Sequence, residues 1–100
     1  MKANEKLFVI VRRDLSTSQQ AVQAGHAVAR YLLTYSDTEW NNGTLIYLGV
    51  KNEEDILKWR FRLSLKNAPY VVFSEPDLNN EITAIATDCE ESLLKNLQVL

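Results

Sequence analysis

The run Leu7-Phe8-Val9-Ile10-Val11, followed by Arg12-Arg13-Asp14-Leu15 and then by Ser16-Thr17-Ser18-Gln19, decides how this chain is read. Five consecutive apolar residues rich in β-branching mark a strand buried on both faces. Ser16-x-x-Gln19 and Thr17-x-x-Gln20 are overlapping capping boxes, so a helix opens within a residue or two of Ser16. A buried strand that feeds a helix begins an α/β fold, and such folds place their sites beyond the carboxyl ends of strands. The free N–H groups and dipole of the helix start predict an anion pocket there, with Arg13 at its side.

Working outward, the first helix extends to about Tyr35. Ala21, Ala24, Gly25, Val28 and Leu32 fall on one stripe at helical spacing, which predicts close packing on a sheet. Gly25 lowers helix propensity by roughly 1 kcal/mol relative to alanine, so close approach is its expected use. Asn41-Asn42-Gly43 is a turn, and Leu45–Val50 is a second strand. Asn52 caps a second helix with Glu53, Glu54 and Asp55 in its first turn; it reaches about Lys66 and ends at Asn67-Ala68-Pro69. Tyr70–Phe73 and Glu81–Ala86 are the third and fourth strands, with Pro76–Asn80 as the loop between them. Thr87-x-x-Glu90 caps a short last helix containing Leu93, Leu94 and Leu97. The expected fold is a single α/β domain over residues 1–100, a four-stranded mixed sheet flanked by helices in the order β-α-β-α-β-β-α. Helical crossovers make parallel neighbours, and the close final strand pair is antiparallel.

One hundred residues with 46% hydrophobic and 24% charged content fit one ordinary globular domain. No apolar run approaches a membrane span, and the five apolar residues before Arg12 are too few for a signal-peptide core. A lone Cys89 excludes an internal disulfide, and with the single His26 it cannot build a structural zinc site. A cytoplasmic protein without metal or cofactor is therefore expected. The net charge of −2 gives no global attraction to nucleic acid, so any RNA contact must come from a local basic patch.

Candidate residues each carry an ordinary reading beside the functional one. His26 suits proton transfer or substrate contact, as an imidazole can both donate and accept a proton; it equally suits a helix-flank histidine bonded to a carbonyl. Lys58, Arg62 and Lys66 recur every four residues beside Trp59. With Arg12, Arg13 and Arg30 they would track phosphates, with Trp59 as a stacking plane. As an ordinary solvated helix face, the same residues would pair internally, Glu54 with Lys58 for instance. Trp40 reads as a lid over the core, and Cys89 as inert. Glu75 and Asp77 flank Pro76 at a strand end, where carboxylates orient water or satisfy a turn.

Arg13-Asp14-Leu15, then Gln23-Ala24-Gly25-His26-Ala27, an acidic turn after the third strand, Thr83, and the tail Leu94-Lys95-Asn96-Leu97 together resemble the archaeal and eukaryotic type of peptidyl-tRNA hydrolase across the whole chain. The resemblance implies hydrolysis of the ester joining a peptide to tRNA. It implies catalytic roles for Gln19, His26, Glu75 and Thr83, and RNA or substrate contacts from Arg12, Arg13, Asp14, Arg30, Lys58, Arg62 and Lys66. The expected partners are tRNA or peptidyl-tRNA and a second copy in a homodimer. Two departures matter. The family's helix-start lysine falls on Gln19, and the family's acidic loop with a following Thr-Gln is shortened to Glu75-Pro76-Asp77-Leu78. Gln19 donates a neutral hydrogen bond where a lysine would supply a charge-assisted one. A non-catalytic binding or regulatory module with the same fold is the alternative reading.

Overall fold

The computed structural model describes residues 6–100. Strand β1 (Lys6–Arg12) is followed by helix α1 (Thr17–Thr34), β2 (Thr44–Val50), α2 (Glu53–Leu65), β3 (Tyr70–Glu75), β4 (Glu81–Thr87) and the two-residue β5 (Gln98–Val99). Short 3-10 turns occupy Pro76–Leu78 and Glu91–Leu94. The α/β class, the single domain and the mixed sheet are as the sequence implies.

β1 is central because its pleat feeds two cores at once. Leu7, Val9 and Val11 face α1, where they pack with Ala24, Ala27 and Tyr31. Phe8 and Ile10 face α2, where they pack with Ile56, Trp59 and Leu63. Successive strand side chains point to opposite faces, so a strand between two helices must be apolar at every position. Trp40 closes the α1 side, and its indole N–H donates to the carbonyl of Thr44 at 2.9 Å.

The sheet order is β3-β4-β1-β2-β5. β1 and β2 are parallel, whereas β4 runs antiparallel to both β1 and β3. The close strand pair is thus antiparallel as expected, but β2 and β3 are not neighbours. The reason lies in the helices. α1 and α2 cover opposite faces, and right-handed crossovers over opposite faces must travel in opposite directions across the sheet. The second crossover therefore carries β3 back past β1 and leaves a slot that β4 fills.

Two further expectations are corrected at the C-terminus. There are five strands and not four, because Gln98 and Val99 pair antiparallel with Gly49 and Leu48. No last α-helix forms after Thr87; that residue ends β4, and its hydroxyl donates to the Pro69 carbonyl at 2.7 Å instead of capping. Leu94 is still buried, and Leu93 and Leu97 pack against the α2-side core.

α1 opens on the capping box read from the sequence. The Ser16 hydroxyl accepts from the Gln19 N–H, and the Gln19 side chain accepts from the Ser16 N–H. Its buried face is Gln23, Ala24, Ala27 and Tyr31, so the stripe is rotated from the expected one. Nothing lies within 4 Å of where a Gly25 Cβ would sit, so that glycine serves no close packing. Gly25→Ala should therefore stabilise the chain by about 0.5–1 kcal/mol, read as a higher denaturation midpoint. α2 ends in a Schellman arrangement with Asn67 left-handed: the N–H of Asn67 reaches the Ser64 carbonyl, and that of Ala68 reaches Leu63.

Candidate functional site

Three polar constellations share the carboxyl edge of β1, β2 and β3. The first is built on α1. Gln23 projects from the buried face of the helix, and only 3% of it is exposed. A buried primary amide needs partners at both ends. Its amino group donates to Glu75 Oε1 at 2.8 Å, and its carbonyl oxygen accepts from the hydroxyl of the fully buried Thr83 at 2.7 Å. The second Glu75 oxygen accepts the Asp77 N–H at 3.2 Å. The result is a chain Thr83–Gln23–Glu75 that delivers one ordered carboxylate to a shallow 260 Å³ cavity, bordered also by Ser18, Gln19, Val22 and Asp77.

The Gln23 amide, then the Asp77 N–H, and then the field of His26 hold the Glu75 carboxyl below its ordinary value of 4.5. Each stabilises the ionised form. The exposed His26 ring lies flat on Phe73, with centroids 4.4 Å apart and planes 4° from parallel. Arg30, one turn on, approaches the same ring at 5.7 Å. Gln19 borders the cavity with its side-chain oxygen committed to the helix cap, leaving its amino group as the donor.

The second constellation centres on Arg12. The pleat that sends Phe8 and Ile10 toward α2 carries Arg12 inward as well, beside the start of β4. Arg12 is 6% exposed and grips both oxygens of Asp14, at 2.9 and 2.8 Å. It also donates to Glu81 at 2.8 Å and to the Ile82 carbonyl at 3.2 Å. Arg12 and Asp14, expected among the RNA contacts, are thus bound to each other, with Arg12 buried and Asp14 exposed. The guanidinium pulls the Asp14 carboxyl below its ordinary value of 3.8.

Asp14 and Glu75 are both depressed carboxylates, so the sign of their linkage is fixed. Each contributes stability that is complete above the unfolded value and is lost as pH falls through the folded one. Chemical denaturation at a series of pH values should show a plateau above about pH 5, with the decline falling below pH 4. Arg12→Met should flatten the Asp14 part of that decline.

The third constellation lies on the α2 side. A 460 Å³ cavity is lined by Arg13, Lys51, Lys58 and Arg62, with Asp55 and Trp59 in its wall. The Arg13 guanidinium lies across Gly49 and donates to the carbonyls of Val99 at 2.9 Å and Gln98 at 3.4 Å. A Cβ at position 49 would meet that guanidinium, the far end of a flexible side chain, which would have to move aside. Gly49→Ala should displace Arg13 and loosen β5 at a cost of about 1 kcal/mol. Faster amide exchange at 98–100 with an otherwise native spectrum would check this. Lys58 makes only a loose pair with Glu54 at 3.7 Å, and Arg62 stacks over Trp59 at 4.9 Å. Trp59 is 8% exposed and covered, so it offers no free stacking plane. Lys66 lies beyond this cavity, in a smaller one shared with Leu65 and Leu93.

The anion pocket expected at the start of α1 is not formed as read. The capping box takes up the N–H groups of Ser16 and Gln19, Glu75 and Asp77 border the same cavity, and Arg13 turns away to β5. Of the expected catalytic residues, Gln19 and Glu75 meet at one cavity, Thr83 reaches Glu75 through Gln23, and His26 stacks on the neighbouring Phe73. Gln23, the hub, is not among the site residues expected from the sequence, although it opens the motif Gln23-Ala24-Gly25-His26-Ala27; its further signal is a polar side chain one position from Ala24 and a turn from Ala27. Cys89 is buried, which pushes its thiol up and away from reactivity. Among the described residues no helix is long and apolar enough to cross a membrane.

No family model matches this chain, and no curated protein matches it. A solved structure of a protein of unknown function from Agrobacterium tumefaciens is similar to it, with a TM-score of 0.73 over 95% of this chain and 96% of that one, at 13% identity. That likeness is one of fold.

Proposed function

We propose that this chain is a divergent carboxylic ester hydrolase of the peptidyl-tRNA hydrolase type, acting in the cytoplasm on the ester of a peptidyl-tRNA. The observation that carries the reading is the Thr83–Gln23–Glu75 chain, which spends a buried amide and a buried hydroxyl on fixing one carboxylate beside a cavity. Buried polar groups cost stability unless they are hydrogen-bonded, and a network satisfied in this way rigidifies the carboxylate at its end. Glu75, kept ionised, accepts a hydrogen bond from a water and aims it at the ester carbonyl. As the new C–O bond forms, the carbonyl oxygen becomes an oxyanion, which the Gln19 amino group stabilises as a neutral donor. Expulsion of the ribose hydroxyl completes the hydrolysis, and the water's proton passes to the departing oxygen.

A specific observation favours the second reading, a binding module without turnover. The cavity is bordered by two carboxylates, Glu75 and Asp77, and by no cation. An oxyanion there is stabilised by dipoles alone. The separating experiment is hydrolysis of a peptidyl-tRNA by the wild type and by Gln19→Lys. The hydrolase reading expects a gain of about tenfold in kcat/KM, which corresponds to about 1.4 kcal/mol of transition-state stabilisation. Two folded proteins without activity would leave the binding module as the better account.

A further inference from the structure

We propose that the cavity on the α2 side is a binding site for a small ligand carrying a phosphate or diphosphate group, of the nucleotide or phosphorylated-sugar class. Its position is the first argument. α1 leaves β1 over one face of the sheet and α2 leaves the neighbouring parallel β2 over the other. Between two such strands the connections diverge and open a crevice at their carboxyl ends, where open α/β sheets bind ligands. Arg13, at the end of β1, and Lys51, at the end of β2, line this crevice.

Charge is the second argument. Arg13, Lys51, Lys58 and Arg62 face one carboxylate, Asp55, although the whole chain carries a net charge of −2. Concentrating cations in a concave wall raises the local potential well above what the net charge suggests. Arg13 is held by carbonyl oxygens, which orient its guanidinium without neutralising it. Arg62 is braced over the Trp59 ring, 4.9 Å from its centroid. Braced guanidiniums suit bidentate phosphate recognition, and the two lysines add point charges. Asp55 supplies an acceptor for a hydroxyl on the same ligand. The volume of 460 Å³ is large enough for a small organic molecule.

The site is coupled to the C-terminal strand. Asn96, Leu97 and Gln98 border the cavity, and Arg13 ties Gln98 and Val99 to the sheet edge. A bound phosphate would hold Arg13 in place and slow the opening of β5. None of this depends on the ester-hydrolase reading, which rests on other residues on the opposite face.

The test is an amide NMR titration of the full chain with pyrophosphate, adenosine diphosphate and a short single-stranded RNA, at low and physiological salt. Saturable one-to-one shifts at residues 49–51, 55–62 and 96–98 are expected, with at least tenfold weaker binding in Lys58→Ala/Arg62→Ala and slower exchange at 98–100 when ligand is bound. Adenosine diphosphate binding more tightly than pyrophosphate supports the organic phosphate. Three results would overturn the proposal: shifts centred on residues 16–20, binding indifferent to the double substitution in a folded protein, or RNA bound far more tightly than the nucleotide. The last would make the surface a polymer track.

Discussion

Arg12→Met should lower the thermal unfolding midpoint by roughly 10–20 °C, the largest effect expected from one polar substitution in this chain. Arg12 is the shared partner of Asp14 and Glu81, and it is buried at the junction of β1 and β4. Removing it leaves two carboxylates facing each other without a cation and frees the Ile82 carbonyl. Breaking a fully buried pair from one side costs about 3–5 kcal/mol. Here the carboxylates are about 40% exposed, so water recovers part of that and about 2–3 kcal/mol is the expected loss. Glu81→Gln, which keeps an acceptor for Arg12, should cost less than half as much. Calorimetry of the two variants checks the ordering.

Gln23→Ala should affect both stability and function. The buried Thr83 hydroxyl loses its acceptor, although the Phe73 carbonyl at 3.3 Å remains within reach. The cavity left by the amide adds to the loss, and about 2 kcal/mol is expected. Glu75 loses the first cause of its depressed titration, so its carboxyl should titrate closer to the ordinary glutamate value. In a hydrolase that uses Glu75 to place water, the same substitution should lower kcat/KM about 10²-fold, and the acid limb of its pH profile should move up. Gln23→Glu is the sharper companion, because it keeps the volume while setting a second carboxylate against Glu75.

The parts of this molecule fixed by local chemistry were legible from its residues. The apolar run at 7–11 announced a strand between two layers, and Ser16 with Gln19 announced the helix start that the structure contains. The positions of β3 and β4 were not legible. They depend on which sheet face each helix covers, and no short-range pattern encodes that. β5 is two residues long and gains its place from Arg13 and Tyr47, far back in the chain. Arg12 reads as a surface cation until Glu81, 69 residues later, is brought beside it. The cationic cavity was half visible: the spacing of Lys58 and Arg62 gave one wall, while Lys51 joined it only through the end of β2. Glu75 and Thr83 came from the family resemblance; what joined them was Gln23, whose importance lies in being polar on a buried helix face.

If the carboxylate held by Gln23 directs water at an ester, removing either partner must slow the hydrolytic step itself. The most direct measurement is single-turnover release of peptide from a peptidyl-tRNA by the wild type, Gln23→Ala and Glu75→Gln, each confirmed as folded. Turnover above the spontaneous rate is expected in the wild type, with a fall of about 10²-fold or more in both variants. Wild-type turnover that both substitutions leave unchanged, or no turnover by the wild type at all, would contradict that expectation.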